Sequence, residues 1–187
     1  MPGTGLTLDA SGYGNGSIRL DDNAPIHAGT DSQVFSSDLG SYIHGANSEV
    51  TGGVYGYATP TADLNNLRAG NVVATYEGTA TGTDYKERGF SMAVNFGNGS
   101  GTFTYNNTTG NSSAPSFEAG IKVNGATYQA TSFTDLKPTG APGVGAGSML
   151  QGAFVGAKAG STIGAMQINT ANGTGTYGAT FQGVRQP

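Results

Sequence analysis

The sequence predicts an all-β protein: a C-terminal antiparallel eight-stranded up-and-down β-barrel, preceded by a small N-terminal β-rich handle. Three observations predict it. Apolar and polar residues alternate with period two in segment after segment, as in Phe90, Met92, Val94 and Phe96 set between Ser91, Ala93 and Asn95. Turn signals such as Gly97-Asn98-Gly99, Asn124-Gly125 and Asn172-Gly173 separate those segments. No stretch has helical apolar spacing of useful length. Composition agrees: Gly is 33 of 187 residues without a G-X-Y period, so collagen is excluded. Charged residues are 11%, well under the usual ~25%, which suits short strands joined by tight turns.

The elements follow in order. Residues 1–66 form the expected handle, with short strands at Ser17–Leu20, Ser32–Phe35, Ser41–His44 and Val54–Ala58. Turn residues intervene constantly, so this part buries little alone and should lean on the barrel. Thr59–Asn66 reads as the join. Residues 67–187 carry eight strand segments: Val72–Thr81, Arg88–Gly97, Ser100–Asn106, Phe117–Val123, Ala126–Thr134, Gly147–Ala157, Thr162–Asn169 and Gly175–Val184. Eight hairpin-connected strands can close and leave no edge. At that size side chains can fill the interior. Gly120, Gly152, Gly164 and Gly178 fit bends at barrel corners. Tyr76, Tyr105, Tyr128 and Tyr177 lie in these strands and read as packing residues.

Charge and chemistry exclude several functions. The net charge is −4 with no Lys/Arg cluster, which argues against nucleic-acid binding. No apolar run approaches the ~20 residues of a membrane-spanning helix. With no cysteine, disulfides, thiolate metal sites and thiol catalysis are excluded. Met1-Pro2-Gly3 is expected to follow a removed signal peptide, and composition implies export. An enzyme is not expected. There is no Gly-x-Ser-x-Gly elbow, and Gly173–Gly178 fits Gly-x-Gly-x-x-Gly without the helix a phosphate site needs. Asp21-Asp22-Asn23 lacks the glycine and terminal Glu of an EF-hand, so it reads as a solvated turn. The Asn-x-Ser/Thr matches mark turns.

From Asn71 to Arg185 the chain resembles the barrel of transferrin-binding protein B and its relatives among Gram-negative surface and secreted proteins. Thr75-Tyr76-Glu77-Gly78-Thr79-Ala80, Gly101-Thr102-Phe103 and the run Gly152–Gly164 carry the resemblance. The closing Thr176-Tyr177-Gly178-Ala179-Thr180-Phe181 fits the final strand. The run from Gly152 is similar to the family's Gly-x-Phe-Tyr-Gly-Pro segment, with Val155 where Tyr is usual and Lys158 near the usual Pro. The resemblance implies a handle that carries ligand specificity. It also implies a membership that includes binders of transferrin, lactoferrin and complement factor H, and haemophilin-type secreted haemophores.

Function then turns on residues 1–66. His27 and His44 are the only histidines, each preceded by an isoleucine, Ile26 and Ile43, and each followed by small residues. A neutral imidazole is a common haem-iron ligand, and a porphyrin needs apolar and aromatic walls. Tyr42, Tyr55, Tyr57, Phe35, Ile26 and Ile43 supply such groups, and Arg19 or Arg68 are the candidates to meet propionates. Tyr42 is the alternative iron ligand. One expectation is therefore a monomeric secreted haem-binding protein (haemophore), with His27 and His44 as metal ligands and haem b as cofactor. It would deliver haem to a TonB-dependent outer-membrane receptor. The alternative is a surface module that binds a host protein such as transferrin or a complement regulator. A chance pair of loop histidines is the plain alternative to both.

Overall fold

The computed structural model describes residues 5–11, 17–21, 39–46, 49–82, 87–107, 115–136, 143–173 and 175–187; for 5–57 it gives strands and their pairing. Four strands make the handle sheet: β1 (Gly5–Ser11), β2 (Ser17–Asp21), β3 (Leu39–Ala46) and β4 (Glu49–Tyr57), in the order β2-β1-β4-β3. Three match expected strands, but β1 was not expected. The expected strand at Ser32–Phe35 lies outside the described residues.

The join is a correction. Thr61–Ala69 is a helix, α1, not a connecting loop. Leu64 and Leu67 are buried one turn apart, Asp63 sits in the first turn and Arg68 in the last, which suits the helix dipole. Two large apolar residues over nine positions leave too weak a period to read from sequence. The helix forms because Leu64 and Leu67 join the barrel core.

Eight strands then close the barrel: β5 (Val73–Gly82), β6 (Glu87–Asn95), β7 (Ser100–Tyr105), β8 (Phe117–Asn124), β9 (Thr127–Asp135), β10 (Met149–Val155), β11 (Ser161–Asn169) and β12 (Thr176–Arg185). Each pairs antiparallel with the next, and β12 returns to β5, Phe181 facing Ala80. Every expected segment is present within a few residues. The β8–β9 turn falls one residue later than Asn124-Gly125 implied: Asn124 pairs with Thr127, so the two-residue loop is Gly125-Ala126, and Gly125 alone takes a left-handed φ, 61°, at its first position.

Aromatic side chains fill the interior. Phe90, Phe103 and Phe181 form one group, with ring centroids 4.9 to 5.1 Å apart. Phe154 gathers Tyr76, Phe96 and Tyr128 in a second. Two expected corner glycines serve this packing instead. Gly152 faces Gly164 across β10 and β11, with Tyr128 and Phe181 as their outer neighbours. A Cβ on Gly152 would meet the Tyr128 ring, and one on Gly164 the Phe181 ring. The missing side chains let two large rings lean inward. Gly120 does mark a bend, at a register shift between β8 and β9.

The buried tyrosines are packing residues, as expected, and each phenol finds a partner. Tyr76 donates to the Ala159 carbonyl at 2.8 Å, Tyr128 meets Thr162 Oγ1 at 2.6 Å, and Tyr105 meets Tyr177 at 2.7 Å. Arg88, also buried, donates to Tyr177 at 3.0 Å and to Asn107 at 3.1 Å. Burial holds the Tyr76, Tyr105 and Tyr128 phenols well above their ordinary value of 10.0, opposed by Arg185 at Tyr76 and by the Thr162 bond at Tyr128. Stability should therefore be whole below pH ~10 and fall above it, because the unfolded chain releases these protons first. Each tyrosine is expected to contribute about 1.4 kcal/mol of loss per pH unit. Urea midpoints followed by circular dichroism from pH 8 to ~11.5 check this; a flat midpoint would contradict it.

The outside of the barrel is where the handle rests. Ala153, Val155, Ile163 and Ala165 point outward from β10 and β11, yet they are buried in a second cluster with Ala58. β1, β3 and β4 lie over β11 and β12. Val155 is 2% exposed beneath this layer, a position suited to a compact side chain.

Candidate functional site

The handle sheet is sharply two-sided by register. Residues opposite one another across an antiparallel pair share a face, and alternate residues along a strand take opposite faces. Tyr42 stands opposite Gly53, His44 opposite Thr51, and Tyr55 opposite both Gly40 and Thr7. Tyr57 stands opposite Gly5, and Thr7 opposite Arg19. Tyr42, His44, Tyr55 and Tyr57 therefore occupy one face, with Thr7, Asp9 and Arg19. The other face takes Leu6, Leu8, Ile18, Leu20, Leu39, Ile43 and Val54. One face is polar and aromatic, the other apolar.

Four of the seven candidate residues thus share a face, drawn from two neighbouring strands. Ile43 does not; it belongs to the apolar face. Ile26 and His27, like Phe35, lie outside the described residues. Arg68 is exposed in the last turn of α1. Thr7 and Asp9 belong to the face but were missed with β1, although Leu6-Thr7-Leu8-Asp9 alternates in plain view.

Tyr42 and Tyr55 each stand opposite a glycine, and Tyr42 lies two residues from Gly40 along β3. By register the two tyrosines therefore occupy diagonal positions on neighbouring strands. The register thus gathers aromatic, hydroxyl-bearing and imidazole residues on one face of two neighbouring strands. Tyrosine is well suited to protein contacts, with one end apolar and the other wet.

The barrel offers less. An open polar pocket of about 450 Å³ lies on its wall, lined by Lys122, Asn124, Thr127, Gln129 and Gln151. It contains no acid–base pair. Among the described residues, no three His, Asp or Glu side chains gather as a metal site, and no helix is long and apolar enough to cross a membrane.

Comparison with known proteins gives the fold. No family model matches the chain, and no curated protein sequence matches it. Among solved structures, transferrin-binding protein B from Haemophilus parasuis (a Trp-176-Ala mutant of the vaccine antigen) superposes at TM-score 0.63 with 14% identity. The isotype 1 protein from serogroup B Neisseria meningitidis gives 0.61 with 12% identity. An intact transferrin-binding protein B with N and C lobes gives 0.60 with 13%. Each alignment covers 98% of this chain but only 44–46% of the other, so the chain spans less than half the length of the structures it matches. In fold, the chain is a transferrin-binding protein B-like β-barrel protein with a handle sheet ahead of the barrel.

Proposed function

We propose that the chain is an exported, surface-displayed or secreted, module of a Gram-negative bacterium that captures a host protein through the polar–aromatic face of its handle sheet. The observation that carries this is the convergence of Tyr42, His44, Tyr55 and Tyr57 on one face. The apolar face is the one that burial against the outward Ala153, Val155, Ile163 and Ala165 would favour. That leaves the tyrosine face for a partner. The fold supports a binding role, and the transferrin-binding names of the neighbours make a transferrin-type glycoprotein the first partner to test. No step of catalysis is required.

The test is binding of immobilised protein to purified transferrin and then to whole serum, beside Tyr42→Ala and Tyr55→Ala. Saturable capture by the wild type is expected, weakened about 30-fold by either substitution if the tyrosines anchor the contact at ~2 kcal/mol each. Absence of any saturable serum partner, or capture indifferent to both substitutions, would sink the reading.

A second reading keeps the haem-binding expectation, supported by the placement of His44 on the same face as three tyrosines. His44 and His27 would be the iron ligands, Tyr42, Tyr55 and Tyr57 the porphyrin's neighbours, and a TonB-dependent receptor the acceptor. Titration with ferric haem distinguishes it: a one-to-one Soret shift, weakened in His27→Ala or His44→Ala and by acidification to pH ~5, is its signature. A featureless titration removes it.

A further inference from the structure

We propose that Asn124 is a self-modification site: in the folded chain the Gly125 nitrogen attacks its carboxamide, assisted by Thr127, and converts it to aspartate and isoaspartate. The sequence holds four Asn-Gly pairs, at Asn15, Asn98, Asn124 and Asn172. Asn15-Gly16 lies outside the described residues. A following glycine leaves its nitrogen sterically open to the carboxamide, so the local sequence ranks the other three alike. Exposure does not separate them either, since Asn98, Asn124 and Asn172 are all exposed.

Their turns do separate them. The attacking nitrogen must give up its proton, and a hydrogen bond donated by that N–H holds the proton in place. Gly173 ends the turn that begins at Thr170, and its N–H donates to the Thr170 carbonyl at 2.9 Å. The Gly99 N–H donates to the Asn95 carbonyl at 3.0 Å. The Asn98 carboxamide is committed as well, its Oδ1 accepting from the Ser100 N–H at 3.0 Å and from Ser100 Oγ at 2.8 Å. Gly125 holds a different place. It is the second residue of the four-residue turn closed by the Asn124–Thr127 pair, at φ 61°. A turn bond runs from the fourth residue to the first and leaves the second residue's N–H unused. Among the described residues that N–H has no acceptor, and nothing stands within 4 Å of the place its Cβ would take.

Thr127 supplies the second element. Its Oγ1 donates to the Asn124 carbonyl oxygen at 2.9 Å. That carbonyl belongs to the same peptide group as the Gly125 nitrogen, so negative charge gathering on the nitrogen spreads onto this oxygen. A donor already aimed there favours the charged form. Ring closure balances without a co-reactant. A bond forms between Gly125 N and Asn124 Cγ, the Cγ–Nδ2 bond breaks, and Nδ2 leaves as ammonia with the glycine's proton. Water then opens the cyclic imide at either carbonyl. One opening gives aspartate at position 124, the other isoaspartate, which adds a carbon to the backbone of the turn.

The product changes the cavity on the barrel wall. Lys122 lies two residues from Asn124 on β8 and shares its face, and both line the open cavity of about 450 Å³ with Thr127, Gln129 and Gln151. No carboxylate lines that cavity before the reaction. Afterwards an anion shares the face of the Lys122 ammonium, and the chain carries one negative charge more than its −4.

The experiment holds the full folded chain in mildly alkaline, oxygen-labelled water at physiological temperature and follows its peptides by mass spectrometry. Label is expected to enter at Asn124 at least about fivefold faster than at Asn98 or Asn172, the factor that one intramolecular hydrogen bond is worth. In urea, where the turns are gone, the rates at these sites should converge. Thr127→Val is expected to slow conversion at Asn124 and Thr127→Ser to restore it, with circular dichroism unchanged in both. Equal rates at all three asparagines of the folded chain, or a faster one at Asn98 or Asn172, overturn the site. A rate at Asn124 that Thr127→Val leaves unchanged or raises overturns the part assigned to Thr127.

Discussion

Phe103→Ala is expected to destabilise the barrel by about 3–5 kcal/mol, the cost of removing a buried phenylalanine and leaving a cavity. Phe103 has no solvent exposure and sits between Phe90 and Phe181, each with its ring centroid 4.9 Å away, with Phe117 at 6.2 Å. Those neighbours come from β6, β8 and β12, so the ring ties separate arcs of the barrel together. They are held by antiparallel ladders on every side, and the wall cannot collapse onto the gap. Domains are stable by only ~5–15 kcal/mol, so this one change removes a large share. Guanidinium unfolding followed by circular dichroism measures it. A loss under ~1.5 kcal/mol would mean that the interior relaxes around the missing ring, and the packing inferred from the ring distances would be wrong.

The barrel was legible because each strand writes its own pattern. In β6, Arg88, Phe90, Met92 and Val94 are buried while Glu87, Gly89, Ser91 and Ala93 are exposed, as alternation required. Asn124-Gly125 placed the β8–β9 turn to within one residue, but the register itself is set by the Asn124–Thr127 pair and the shift at Gly120. Helix α1 was not legible, since Leu64 and Leu67 acquire their meaning only from a barrel core assembled by residues far along the chain. The roles of Gly152 and Gly164 were hidden for the same reason. A glycine in a strand announces a bend or a close approach, and only the pairing partners decide which. In the handle, β3 and β4 were read as strands, but the shared face of Tyr42, His44, Tyr55 and Tyr57 depends on a register that local sequence does not set. Composition could nominate His44 and the tyrosines, and pairing alone could group them.

Gly164→Ala and Gly78→Ala should both be severely destabilising, by different routes, and a double-mutant comparison separates them. A Cβ on Gly164 would stand 2.0 Å from Phe181 Cζ and 2.5 Å from the Gln151 carbonyl oxygen. Overpacking of this kind costs about 1–3 kcal/mol, and more where backbone must move. Phe181 is the neighbour that can be trimmed, so Gly164→Ala should cost at least ~1 kcal/mol less in a Phe181→Ala background than in the wild type, within the range expected of contacting pairs. Gly78 offers no such relief. Its Cβ would meet the Gln182 carbonyl oxygen at 2.1 Å and Gly183 Cα at 2.5 Å, which are backbone atoms of the strand that closes the barrel. Trimming Phe90, which faces Gly78 from β6, should leave the Gly78→Ala penalty unchanged. If Gly164→Ala costs the same with and without the Phe181 ring, the Gln151 carbonyl sets the requirement, and the glycine pair serves strand approach and not ring packing. If the penalty falls as expected, the β10–β11 glycines exist to let Tyr128 and Phe181 fill the barrel, and an eight-stranded interior this rich in aromatic rings could not close without them.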